Sequence, residues 1–96
     1  MNTGNEVRRM DVRFEGHVQG VGFRWTTARL AAGFPISGFV RNEPDGSVRL
    51  TAEGREADLL AFLQAIEISP VGRYISRRQV EWRDATGEFR AFEIGY

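Results

Sequence analysis

The sequence predicts an α+β fold, a mainly antiparallel sheet with two helices on one face. Three observations carry that reading. Short runs alternate apolar and polar residues, as a strand with one buried face does. Two longer stretches repeat apolar residues at three- and four-residue steps, which makes one stripe on a helix. Glycine and proline mark the breaks between these segments. At 96 residues the chain fits one compact domain with a single core.

Residues 1–9 are polar without an apolar period and read as a flexible N-terminal tail, so the domain is expected over 10–96. Met10, Val12 and Phe14 alternate with Asp11, Arg13 and Glu15, and Gly16 stops this first strand. Over 21–33, Phe23, Thr27, Leu30, Ala31 and Phe34 fall on one helical stripe that Gly33 and Pro35 end. Residues 36–41 and 47–53 read as strands of a hairpin, since Pro44 presets a turn dihedral and Gly46 tolerates the positive φ that follows. Residues 55–67 carry Leu59, Leu60, Leu63 and Ile66 at helical spacing, and Ser69-Pro70 breaks that helix. Strands at 74–83 and 91–96 close the chain, joined by the turn-like segment 84–87. Phe23, Phe39, Phe62 and Trp82 fall where core stripes are expected. The order is βαββαβ with a short C-terminal strand, a ferredoxin-like sandwich, which hosts many unrelated activities.

Composition removes several function classes. Thirteen basic and thirteen acidic residues cancel, so bulk charge steers the protein toward neither nucleic acid nor an anionic membrane. Cysteine is absent, which excludes disulfides, thiolate metal sites and a cysteine nucleophile. Every basic residue is arginine, so a Walker-type lysine and Schiff-base chemistry are excluded as well. No apolar run has the length of a membrane span, and the polar start lacks the apolar core of a signal peptide. A soluble cytoplasmic protein, monomeric and without cofactor, is the expectation.

The densest chemical signal is Gly16-His17-Val18-Gln19-Gly20-Val21-Gly22-Phe23-Arg24, between a predicted strand and a predicted helix. Its glycines let the backbone curl and bring several N–H groups to one point, and the helix adds its unpaired N–H groups and positive dipole end. Arg24 can offer a planar fork of donors to two phosphate oxygens. Taken alone, the segment fits a tight strand-to-helix turn as well as an anion cradle.

A second constellation, Gly38-Phe39-Val40-Arg41-Asn42 followed by Asp45-Gly46-Ser47-Val48 and Glu53-Gly54, ends a strand in an amide before a tight hairpin. The first segment resembles Gly-x-Val-Gln-Gly-Val-x-Phe-Arg and the second resembles Gly-aromatic-Val-Arg-Asn-x-x-x-Gly-x-Val, the two signatures of acylphosphatases. The interval between them matches, and 87–94 is similar to that family's last strand. The resemblance implies a metal-independent hydrolase that splits the carboxyl-phosphate bond of acyl phosphates into carboxylate and inorganic phosphate. It places Arg24 on the phosphate-binding arginine and Asn42 on the water-positioning asparagine. Backbone N–H groups of Val18, Gln19, Gly20, Val21, Gly22 and Phe23 would complete the phosphate-binding loop. The chemistry agrees: an acyl phosphate has a good leaving group, so positioning and electrostatics suffice without a strong general acid.

Competing readings are weaker. A phosphotyrosine phosphatase would need a cysteine six residues before Arg24, where this chain has Val18. His17 is the only histidine and cannot build a metal cluster or a second base, so it reads as an exposed loop residue. Glu43 beside Asn42 is a candidate general base, but a carboxylate there would repel the phosphate, and a solvated turn residue is the better reading. An RNA-recognition sheet shares this element order, with Phe39 and Arg41 as its echo, but the zero net charge and incomplete aromatic motif oppose it. The remaining alternative is a phosphate- or carbamoyl-phosphate-binding module with little turnover, as at the front of hydrogenase-maturation proteins. Without their zinc-finger-like cysteines, a stand-alone enzyme is expected. Two departures from the family pattern stand out: Gly33-Phe34-Pro35 replaces a glycine near 35, which could alter the exit of the first helix. Arg78 replaces an apolar strand residue and suggests an edge or partly exposed strand.

Overall fold

A computed structural model describes residues 6–95. The elements run β1 (Val7–Gly16), α1 (Phe23–Ala31), β2 (Ser37–Asn42), β3 (Val48–Arg55), α2 (Glu56–Ile68), a 3-10 turn (Gly72–Tyr74), β4 (Ile75–Asp84) and β5 (Phe92–Ile94). The strands form one sheet in the order β4-β1-β3-β2-β5. Only β5 pairs in parallel, with β2; the other pairs are antiparallel. This is the expected ferredoxin-like sandwich. Among the described residues no helix is long and apolar enough to cross a membrane.

Period-two alternation splits the sheet into two unlike faces. Met10, Val12 and Phe14 of β1, Val48, Leu50 and Ala52 of β3, and Val40 of β2 lie buried under the helices. Phe23, Thr27 and Ala31 of α1 and Leu59, Phe62, Leu63 and Ile66 of α2 close the core from above. Each large apolar side chain buried there contributes about 1.5–3 kcal/mol. The residues between them in sequence point to the helix-free face, where charge and hydroxyl groups pair with one another. Asp11, 9% exposed, accepts a hydrogen bond from Thr51 Oγ1 at 2.6 Å and faces Arg83 Nε at 3.1 Å. Glu53 accepts from Thr86 N at 2.9 Å, Thr86 Oγ1 at 3.0 Å and Gly87 N at 3.0 Å. Burial acts to raise the Glu53 pKa, but these donors and Arg9 together hold it below its ordinary value of 4.5.

The structure departs from the sequence reading in a few places. The first strand, β1, begins at Val7, so Val7, Arg8 and Arg9 belong to it and not to a tail; residues 1–5 lie outside the described residues. Burial did not signal this stretch because ion pairs accompany it: Arg8 meets Glu56 and Arg9 meets Asp11 and Glu53. Leu60 is 48% exposed, and the buried stripe of α2 runs through Phe62 instead. Phe39 is only half-buried and packs on the helix-free face, edge-on to Phe89 at 5.8 Å. At the exit of α1, Phe34 N donates to Ala31 O, the Phe34 ring packs on Phe62 at 5.7 Å, and β2 starts at Ser37. Arg78 lies on the edge strand β4 and reaches Glu67 of α2 at 2.7 Å, which replaces apolar packing with a salt bridge.

Candidate active site

The loop from β1 to α1 is shaped by two glycines in the left-handed region, Gly20 at φ 79° and Gly22 at φ 80°. Residues with a Cβ adopt this conformation at a cost of roughly 1 kcal/mol or more. Gly22 is the N-cap of α1 and carries no side chain to cover the first N–H groups, and no acidic residue stands in the first turn. The positive end of the helix is therefore open to an anion. Gly22 in this conformation also explains why the helix starts at Phe23 and not at residue 21.

Three contacts anchor the loop. Val18, 1% exposed, and Phe23, 2% exposed, sink into the core, the latter against Phe14 with ring centroids 5.0 Å apart. His17 is exposed; its backbone N–H donates to Tyr74 O at 3.0 Å, so the main chain does the holding. Gln19 donates from Nε2 to Glu43 O at 2.8 Å and Ser47 O at 2.9 Å. These two bonds tie the loop to the β2–β3 hairpin. Asp45 organises the same hairpin by accepting from Ser47 Oγ at 2.6 Å and Ser47 N at 3.0 Å, and those bonds with Arg13 lower its pKa.

Asn42 enters from the other side. Gly38, Val40 and Asn42 share the helix-covered face of β2, so alternation aims the last of them toward the start of α1. Arg41 and Glu43 belong to the opposite face, where Arg41 Nε pairs with Glu43 Oε1 at 3.0 Å. Glu43 is thus absent from the lining around Asn42, and the general-base role considered for it has no support. Arg24 Nη1 donates to Gly95 O at 3.1 Å, so the segment after β5 orients its guanidinium. Arg24 and Asn42 line one cleft of about 240 Å³ with Val18, Gly20, Gly22, Phe23, Trp25 and Ile94. Among the described residues, neither a carboxylate nor an imidazole is in that lining.

A larger hollow of about 560 Å³ lies on the helix-free face and includes Arg13, Arg41, Arg49 and Arg83. Each of these arginines faces a carboxylate: Asp45 and Glu15, Glu43, Asp11, and Asp11 with Glu81, respectively. An incoming phosphate there would compete with built-in anions. Among the described residues, the smaller cleft presents no such competitor.

The acylphosphatase profile matches residues 10–94. The chain belongs to the acylphosphatase family. It is 43% identical over 94 residues to a protein named acylphosphatase from Salinibacter ruber, covering 98% of each chain. The crystal structure of an acylphosphatase from Bacillus subtilis superimposes with a TM-score of 0.83 at 30% identity, over 93% of this chain and 99% of that one. A full-length HypF, crystallised in a phosphate- and nucleotide-bound form, matches with a TM-score of 0.82 at 26% identity; the match covers 95% of this chain and 12% of HypF.

Of the residues the sequence marked, the acylphosphatase fold brings Arg24, Asn42, Val18, Gly20, Gly22 and Phe23 to the cleft. Val21 packs against the core, and Gln19 faces the hairpin. Trp25 and Ile94 join the lining without having been anticipated. The sequence carried a signal for Trp25: it lies off the stripe through Phe23 and Thr27, which leaves an aromatic ring exposed beside Arg24.

Proposed function

We propose that this member of the acylphosphatase family hydrolyses acyl phosphates at the cleft between Arg24 and Asn42, by direct attack of water. The observation that carries the reading is the convergence of an arginine at an open helix N-terminus and a neutral amide from a strand end, in a cleft that no carboxylate among the described residues lines. The phosphoryl oxygens bind the Arg24 fork and the N–H groups of the loop. Asn42 accepts a hydrogen bond from the attacking water and turns its lone pair toward phosphorus.

The water oxygen forms the new bond to phosphorus as the bond from phosphorus to the acyl oxygen breaks, and that electron pair leaves on the carboxylate. With neither a carboxylate nor an imidazole among the described residues of the lining, a phosphoryl oxygen takes the water proton. An acyl phosphate dianion and water become a carboxylate and dihydrogen phosphate, with charge and atoms balanced. The carboxylate leaves without an acid because it is a weak base. Catalysis then rests on positioning and on donors aimed at the phosphoryl oxygens. We further read the protein as a metal-independent monomer of the cytoplasm, the metal independence supported by the donor types among the described residues of the cleft.

The test is hydrolysis of acetyl and benzoyl phosphate in the presence of chelator, for wild type, Arg24→Ala and Asn42→Ala. Charge-assisted hydrogen bonds contribute about 1.5–3 kcal/mol each, so losing a two-pronged fork lowers kcat/KM by roughly 10²- to 10⁴-fold. Arg24→Ala also weakens inhibition by inorganic phosphate, whereas Asn42→Ala lowers kcat and spares it. Full activity in both variants would refute the mechanism, and loss of wild-type activity on chelation would refute its metal independence. Tight phosphate binding without turnover would favour a binding module.

A further inference from the structure

We propose that Trp25, with Ile94, forms the acyl side of the cleft and selects substrates whose acyl group is aromatic over those with a small aliphatic one. The inference rests on the acyl phosphate reading above. Among the described residues the large exposed hydrophobic side chains are Val7, Trp25, Leu60 and Ile68. Of these, Trp25 alone lines the cleft that holds Arg24 and Asn42.

Trp25 follows Arg24 on α1, so the two side chains leave the helix about 100° apart. A phosphoryl group held by Arg24 therefore lies beside the indole and not beneath it, and whatever the phosphoryl group carries can extend across the ring. The other apolar members of the lining offer little: Val18 is 1% exposed and Phe23 is 2% exposed, both committed to the core. Trp25, at 60% exposure, and the half-buried Ile94 supply the apolar surface that a bound molecule can reach. Arg29, one turn further along α1, lays its guanidinium over the indole with 5.1 Å to the ring centroid. That contact restricts the rotamers of an otherwise solvent-facing side chain and presents the indole as a prepared platform.

A flat aromatic acyl group stacks on such a platform, whereas an acetyl group covers little of it. The benzoyl type is the substrate class that this geometry fits.

Steady-state kinetics with benzoyl and acetyl phosphate, for wild type, Trp25→Ala and Trp25→Phe, tests the proposal. Trp25→Ala is expected to lower the benzoyl-to-acetyl ratio of kcat/KM about tenfold, the change that about 1.4 kcal/mol corresponds to. The loss falls on the KM for benzoyl phosphate and not on its kcat, and Trp25→Phe restores most of it. The inhibition constant of inorganic phosphate, which reads the cradle alone, moves less than the benzoyl KM. A ratio that stays constant, or a loss shared equally by both substrates, overturns the proposal. A second arm does not depend on turnover: in a Trp82→Phe background, benzoate with phosphate quenches the remaining tryptophan fluorescence and acetate with phosphate does not. If the wild type hydrolyses neither acyl phosphate, the enzymatic reading fails by itself, and equal quenching by the two carboxylates would overturn the subsite.

Discussion

Gln19 gives the most revealing perturbation, because its side chain lies outside the cleft and yet joins the two halves of it. Its Nε2 spans the carbonyls of Glu43 and Ser47, residues 24 and 28 positions away. In Gln19→Ala both bonds are lost. Each neutral, partly buried hydrogen bond has a net worth of about 0.5–1.5 kcal/mol. Both carbonyls keep a backbone donor, since Gly46 N still reaches Glu43 O at 3.1 Å and Glu43 N still reaches Ser47 O at 2.9 Å. Neither oxygen is left bare, so the total stays near the low end, about 1–2 kcal/mol. For a domain of this size that lowers Tm by roughly 4–16 °C. Gln19→Glu keeps the shape but sets an anion against two carbonyl oxygens, and destabilises more than Gln19→Ala. Urea unfolding measures both: the midpoint falls and the slope m is unchanged. Activity falls further than stability under native conditions, because loosening the loop against the hairpin moves Arg24 relative to Asn42, and small misplacements of positioned groups cost large factors in rate. A Gln19→Ala protein as stable and as active as wild type would refute the view that this amide sets the geometry of the cleft.

Two further perturbations test the frame around the site. The folded-state pKa of Glu53 lies below 4.5, so the stabilisation from its ionised form is fully present above that pH and is lost as pH falls through the folded value. Glu53→Gln, which strips charge from three hydrogen bonds, is expected to cost about 1–3 kcal/mol at pH 7, and its gap from wild type should narrow by pH 3; denaturant midpoints at the two pH values decide it, and a constant gap counts against the reading. Gly22→Ala meets open space but must hold a φ of 80°, so it is expected to lose about 1 kcal/mol by thermal melting and to weaken phosphate inhibition, whereas an unchanged inhibition constant would show that the loop tolerates another backbone path.

How far the sequence reached follows from which forces leave a period in it. Alternation at Met10, Val12 and Phe14 exposed β1, and the Phe23–Thr27–Ala31 stripe exposed α1, because burial imposes periods of 2 and 3.6. Contacts with no period stayed hidden. The first residues of β1 are accompanied by ion pairs, the amide of Gln19 finds acceptors far along the chain, and the parallel docking of β5 on β2 is settled by three residue pairs. The candidate site lies between these cases: Arg24 and Asn42 were visible as motif positions, but their meeting depends on sheet register.

That dependence is strict. On β2 the helix-covered face carries Val40 and Asn42, and the opposite face carries Arg41, which pairs with Glu43 just past the strand. A slip of one residue against β3 would bring Glu43 or Arg41 to the mouth of the cleft in place of the amide. A carboxylate there would repel the phosphoryl group, and a second guanidinium would bind it without offering water an acceptor. The native register, with Val40 opposite Leu50 in the core and its carbonyl taken by Gly95 N at 2.8 Å, forbids both outcomes. The same Gly95 presents its own carbonyl to Arg24. One short C-terminal segment therefore fixes the strand that aims Asn42 and the side chain that faces it, so the core packing of Val40 determines the chemistry of the cleft as directly as the two polar residues do.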